Sequence, residues 1–159
     1  MLSSSLDMLE ESLIKKLDVM KKIREENARQ RDILSDPDDV DFEAFDKTLD
    51  VKGEYIDQLD ALDDGFQTLF DKVKEEVGER KEEFAEQINR MQSLVHDITD
   101  ASASIEAEEH RNKALAEKYF SMERDKMSSG KRSAAAAFNY YQTMSKSKDI
   151  PPQFLDKKN

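Results

Sequence analysis

The sequence predicts an all-α protein: a long antiparallel helical hairpin, or coiled-coil-like bundle of three long helices, followed by a short C-terminal helix and tail. Three observations carry this. Leu, Ile, Val, Phe and Met recur at steps of three and four through most of the 159 residues, which aligns them on one side of an α-helix. Only 4 Gly and 3 Pro are present, too little punctuation for the many tight turns of a sandwich, a barrel or a doubly wound sheet. Hydrophobic residues make up 37% of the chain and charged residues 38%. That is enough periodic apolar material for a core and too much charge for a membrane protein.

The first helix is expected over residues 2–34. Leu2, Leu6, Leu9, Leu13, Leu17 and Met20 form one stripe, and Ile14 and Ile23 widen it. Glu11/Lys15, Asp18/Lys22 and Lys22/Glu26 are i,i+4 pairs for the remaining surface. Such a helix is about 50 Å long at 1.5 Å per residue. The run Ser35-Asp36-Pro37-Asp38-Asp39 stops it, because proline disfavours helix at the preceding residue and has no N–H to donate. Asp36, Asp38 or Asp39 is the expected cap of the next helix. A short link between two striped helices makes an antiparallel hairpin.

The second segment starts near Val40. Its stripe runs through Phe42, Phe45, Leu49, Ile56, Leu59, Leu62, Phe66, Leu69, Val73 and Val77, and Lys52 interrupts it. Asp63-Asp64-Gly65 and Gly78 are places for a bend, but the periodicity continues through both, so one long kinked helix is expected. The stripe resumes at Phe84, Ile88, Met91, Leu94 or Val95, Ile98, Ala101 and Ile105, and then Leu115, Tyr119 or Phe120, and Met122. No clear turn separates residues 66–127. This stretch either projects as a coiled coil or, with a break near Gly78, folds back to give three packed helices. Ala101 to Ser104 are small and suit close approach of another helix.

Composition shifts after Ser128-Ser129-Gly130, which divides the chain into a helical bundle (1–130) and a C-terminal appendage (131–159). The formal net charge of the whole chain is −11. Residues 127–159 carry six basic and two acidic side chains, +4, which leaves −15 for the rest. Ala134 to Ala137, Phe138, Tyr140, Tyr141 and Met144 read as a short amphipathic helix, and Ile150 to Leu155 as an extended apolar tail.

The same residues exclude most chemistry. Cysteine is absent, so disulfides, thiolate metal sites and cysteine nucleophiles are out. No apolar run approaches the roughly 20 residues of a membrane span, so no membrane insertion is expected. The first residues lack a basic and apolar leader, so a cytoplasmic location is the default expectation. The acidic balance argues against nucleic acid. Residues Ser93 and Ala107 stand three before His96 and His110, where di-iron bundles need Glu. The aspartates at 36, 38, 39 and 41 lack the glycine and twelfth-position glutamate of a calcium loop, and no Gly-rich phosphate loop exists. Glu108-Glu109-His110-Arg111 reads as a solvated face, and His96 beside Asp97 as a surface residue. No catalytic, cofactor-binding or metal-ligating residue is assigned, and the expectation is that the protein is not an enzyme.

What remains is interaction between helices. The chain contains Lys52 to Phe66 with its Leu62-Asp63-Asp64-Gly65-Phe66 run, Ile98-Thr99-Asp100, Glu108 to Lys113, Tyr140-Tyr141-Gln142-Thr143-Met144 and Phe154-Leu155-Asp156-Lys157-Lys158. In these elements and their order it resembles the flagellar export chaperones of the FlgN type, in the form found in clostridia-like bacteria. The resemblance implies a small helical cytoplasmic chaperone. It would bind hook-associated proteins of the hook–filament junction, keep them unassembled and deliver them to the export apparatus. In that family the C-terminal region is implicated in client binding, which points here to Phe138, Tyr140, Tyr141, Met144, Phe154 and Leu155. The alternative is a coiled-coil scaffold or dimerising spacer, which would use the same stripes to form a homodimer.

Overall fold

A computed structural model describes residues 4–126. Four α-helices and one short 3-10 turn follow in order: α1 (Ser4–Leu34), α2 (Phe42–Asp64), α3 (Phe66–Val77), the turn Lys81–Phe84 and α4 (Ala85–Lys126). No strand occurs among the described residues. The all-α expectation holds. The predicted C-terminal helix and tail lie outside the described residues.

The α1 stripe folds as predicted where it is described. Leu6, Leu9, Leu13, Leu17, Met20 and Ile23 are all buried. Ile14 is a correction: it is 52% exposed, because it lies about 100° round the helix from Leu13. Burial widens the other way, through Lys16, Val19, Glu26, Asn27 and Gln30. Two of the three expected surface pairs form, Lys15–Glu11 at 3.2 Å and Lys22–Asp18 at 3.3 Å. The third does not, since Glu26 is buried and pairs with Arg29 instead.

The link after α1 also differs in its cap. Asp36 accepts from the Asp38 N–H at 3.0 Å and shapes the turn. Asp41 is the residue that caps α2, accepting from the Ala44 N–H at 3.1 Å. Its extended backbone (φ −78°, ψ 96°) suits an N-cap.

From there α2 and α3 run antiparallel to α1, in line with each other. The interhelical bonds descend in register: Gln30 to Thr48 at 3.0 Å, Lys16 to Asp63 at 2.7 Å, and Ser5 N–H to Glu76 at 3.2 Å. The expected single kinked helix is interrupted at Gly65 (φ −95°, ψ 0°), a one-residue break from which α3 restarts. The chain then reverses at Val77-Gly78-Glu79-Arg80. The Arg80 N–H donates to the Val77 carbonyl at 2.8 Å, and Gly78 adopts φ 52°, ψ −122°. Those angles are the first central position of a type II′ turn, where glycine is the fitting residue. The reversal resolves the two readings of the third stretch: α4 folds back and lies parallel to α1, its partners 80 to 85 residues further along the chain.

The result is a three-helix bundle in which α1 packs against every other helix. Ala101 and Ser102 are buried in α4, in keeping with the expected close approach. The core is divided in two. One cluster holds Leu6 to Ile23 of α1 with Leu59, Val73, Val77, Phe84, Met91, Ile98 and Ile105. The other holds Leu34, Phe45, Leu49, Ala116, Tyr119 and Phe120 at the far end, with the Phe45 and Phe120 rings edge-to-face at 6.2 Å.

Between the clusters lies a polar layer. Lys52, 1% exposed, reaches Gln30 Oε1 at 3.2 Å and pairs with Glu109. Asn112 Nδ2 donates to the same Gln30 oxygen at 3.2 Å and to the Asn27 carbonyl at 2.9 Å. Thr48 Oγ1 accepts from Gln30 and donates to the Phe45 carbonyl. Glu108 joins from the edge, accepting from Arg24 at 2.9 Å and Asn27 at 3.1 Å. The expectation that Glu108-Glu109-His110-Arg111 is merely a solvated face is therefore corrected: His110 is exposed, but both glutamates cross to other helices. Buried charge stays ionised only when it is paired and hydrogen-bonded in this way.

Candidate helix-binding groove

The end of the bundle near the type II′ turn is incompletely filled. α3 is strongly amphipathic, yet only Val73 and Val77 of its apolar residues are buried. Phe66, Leu69 and Phe70 are half-buried. On the α4 side of α3 an open groove of about 330 Å³ runs between three helices. Leu6, Leu9 and Leu13 of α1 form the floor, Phe66, Phe70 and Val73 one wall, and Ile88, Met91, Gln92 and Val95 the other.

Each side of the groove spans eight residues, close to two helical turns and about 11 Å. That repeat follows from the sequence steps 6–9–13, 66–70–73 and 88–91–95. Gln92 is the one polar residue in the lining, and Val95 is 39% exposed. Phe66 and Phe70 stack with centroids 6.0 Å apart and planes 10° from parallel, and Lys74 Nζ lies 4.8 Å from the Phe70 centroid. A second, more polar hollow lies on the other side of α3, where Met8, Ser12, Leu62, Phe66 and Leu69 meet beside Gly65.

Charged groups hold the seams around the groove. Gln87 bridges to Asp7 at 2.7 Å and to Glu10 at 3.0 Å, and Arg90 Nε meets Glu10 at 2.9 Å. The Arg90 hydrogen bond holds the Glu10 carboxyl below the usual carboxylate range against the opposing effect of burial. The buried Lys16–Asp63 pair ties the end of α2 to α1. Asp63 Oδ2 is buried without a hydrogen-bond partner.

An apolar, two-turn, open-sided groove has the spacing of side chains that recur every three or four residues, as an amphipathic helix presents them. His96 is at the surface as expected, with its Nε2 3.3 Å from Asp100 Oδ2. Among the described residues no group of three or more His, Asp or Glu side chains is placed to hold a metal ion. No described helix is long and apolar enough to cross a membrane.

The residues expected to bind a client, Phe138, Tyr140, Tyr141, Met144, Phe154 and Leu155, all lie outside the described residues. The sequence reading missed the groove, because it assigned Phe66, Phe70, Ile88 and Val95 to core stripes or passed over them. The available signal was α3 itself, a short apolar stripe confined between two glycines, with more aromatic surface than one neighbour can cover. Comparison with family models, with curated proteins and with solved structures gives no match.

Proposed function

We propose that this protein is a cytoplasmic export chaperone. It shields an amphipathic helix of a hook-associated protein of the hook–filament junction and passes it to the flagellar export apparatus. The observation that carries the reading is the groove between α1, α3 and α4: an apolar floor and two largely apolar walls stand where a fourth helix of a bundle would lie. A client helix with apolar residues at i, i+3 or i+4, and i+7 would complete the layer, as helix-in-groove recognition does elsewhere. The resemblance of the chain to FlgN-type chaperones supports the same reading. So does the aromatic, basic segment after residue 130, which offers further apolar contacts on a chain of opposite charge.

Capture of a junction protein by the immobilised full chain tests it. Replacing Phe70→Asp and Ile88→Asp together should weaken capture by more than about tenfold, the loss expected for interface anchors. Circular dichroism would check that the helices persist. Deleting residues 131–159 should weaken it as well. Undiminished capture by both variants would refute the chaperone reading. A tight dimer by light scattering, unchanged by the deletion, would favour the dimerising spacer.

A further inference from the structure

We infer that the helix taken by the α1–α3–α4 groove is bracketed by basic residues: a two-turn apolar stripe with Lys or Arg about one turn beyond it at either end. This names the chemistry of the partner and rests on reading the groove as a helix-binding site.

Charge is unevenly placed along the groove. Beside the apolar lining it is close to balanced. Residues 66–73 hold Asp71 and Lys72, and residues 88–95 hold Arg90. The two ends differ from the middle. At the turn end, residues 75–86 carry six acidic and two basic side chains. Glu79, Glu82, Glu83 and Glu86 are all exposed there. At the α2 end, Asp60 and Asp64 precede the Phe66 wall, and Asp97 and Asp100 follow Val95. These four are exposed too, and residues 60–64 and 96–100 contain no Lys or Arg.

Cations near the groove are mostly engaged by other groups. Arg80 Nε lies 3.7 Å from Glu83, and its guanidinium also donates to the Glu76 carbonyl. Arg90 is turned to Glu10 of α1, Lys16 is buried against Asp63, and Lys74 lies over the Phe70 ring. Lys81 stands among the turn-end carboxylates and offsets one of them. Glu79, Glu82 and Glu86 at one end, and Asp60, Asp64 and Asp97 at the other, belong to no ion pair among the described residues.

A helix seated on a lining about 11 Å long passes both acidic clusters within a turn or two of leaving the apolar part. Exposed charges interact over about 10 Å at ordinary ionic strength. Glutamates at the ends of such a helix would be repelled at both clusters. Lysine or arginine would reach them with the charged head while the methylenes stay along the apolar walls. Cations at both ends also hold the stripe in register, because a slide by one turn in either direction takes one of them away from its cluster.

Three 18-residue peptides test this, each acetylated and amidated so that its termini carry no charge. The first has Leu at i, i+3, i+4 and i+7 on an Ala/Gln background with two lysines at each end. The second has glutamates in place of the lysines. The third is the first peptide scrambled to break the stripe. The full chain is titrated with each by NMR, with its methionine methyls labelled. Met91 lines the groove, and Met122 is about 47 Å further along α4. The lysine-ended peptide should shift Met91 and leave Met122 unmoved. In low salt it should bind more than about tenfold tighter than the glutamate-ended one, and high salt should shrink the gap. Replacing Glu82→Lys and Glu86→Lys together, both at exposed sites, should lower that preference about threefold. Equal affinities, tighter binding of the glutamate-ended peptide or a preference unchanged by the two lysines would overturn the bracketing. If Met91 still shifts in those cases, the groove stands as a helix site. No Met91 shift with any peptide would overturn both readings. A Met91 shift from the scrambled peptide would show attraction to an acidic surface without recognition of the stripe, and would overturn the bracketing. A Met91 signal that moves on dilution of the chain alone would assign the groove to a second copy and overturn it too.

Discussion

At the scale of single residues, the buried charges decide most. Lys52 is enclosed at the junction of three helices, and its ammonium is stabilised by Glu109 and Gln30. Removing it alone takes the buried ammonium away from the Glu109 carboxylate, while Gln30 keeps its hydrogen bond from Asn112. Lys52→Met should therefore cost about 3 kcal/mol, the lower end for breaking a buried pair, because Glu109 keeps some access to water. Lys52→Met with Glu109→Leu should recover most of that loss. Urea unfolding midpoints of the two variants check both statements. Glu10 gives a pH signature. Its folded-state carboxyl ionises more readily than in the unfolded chain, chiefly through the Arg90 hydrogen bond. The stability it adds is present above the ordinary carboxylate range and is lost as pH falls through its depressed folded value. Denaturation at pH 7 should find Glu10→Gln less stable than the native chain, and the difference should close in strong acid. Glu108 and Glu109 were the residues least legible in the sequence, while Lys52 showed only as an interruption of the stripe. Periodicity sorts by polarity, so it sends a charged residue off the stripe to the surface. A buried charge becomes visible only when its partners, 57 or 84 residues away, are brought beside it.

At the scale of elements, the hydrophobic steps were a sound guide and the glycines a partial one. The described part of α1 and most of α4 are where the periodicity places them, because burial of a one-sided stripe is what stabilises long helices. The reversal was foreseen only as one of two outcomes, since a glycine inside a continuous stripe is compatible with either a tolerated helical residue or a turn. Backbone angles separate the two glycines. Gly78 has a positive φ that other residues rarely adopt, and Gly65 does not. Gly78→Ala should cost about 2 kcal/mol through strain at the turn. A Cβ on Gly65 would meet nothing within 4 Å, so Gly65→Ala should be neutral or stabilise by about 0.5 kcal/mol through the unfolded state. Thermal unfolding of the pair measures the contrast, and equal losses would contradict the turn geometry described above.

At the scale of the whole molecule, the polar layer makes two unequal halves of one bundle. Among the described residues the larger apolar cluster includes α3 and the groove, and the smaller one lies at the opposite end of the bundle. Regions with fewer buried apolar contacts open more easily. Amide exchange should therefore be faster at Phe45–Leu49 and Ala116–Phe120 than at Leu9–Ile23. The double replacement of Lys52 and Glu109 by apolar residues should narrow that gap by joining the clusters. Uniform exchange across both ends would show that the layer does not partition the fold.

The parallel placement of α1 and α4 has a consequence for the order in which the protein is made. α1 is synthesised first, yet one of its faces is closed only by the last described helix. At about 5 to 20 residues per second, roughly 2 to 10 s separate the emergence of α3 from that of the end of α4. Through that interval the nascent hairpin waits on the ribosome with its leucines uncovered, and the translating cell must tolerate an adhesive half-product before the finished one exists.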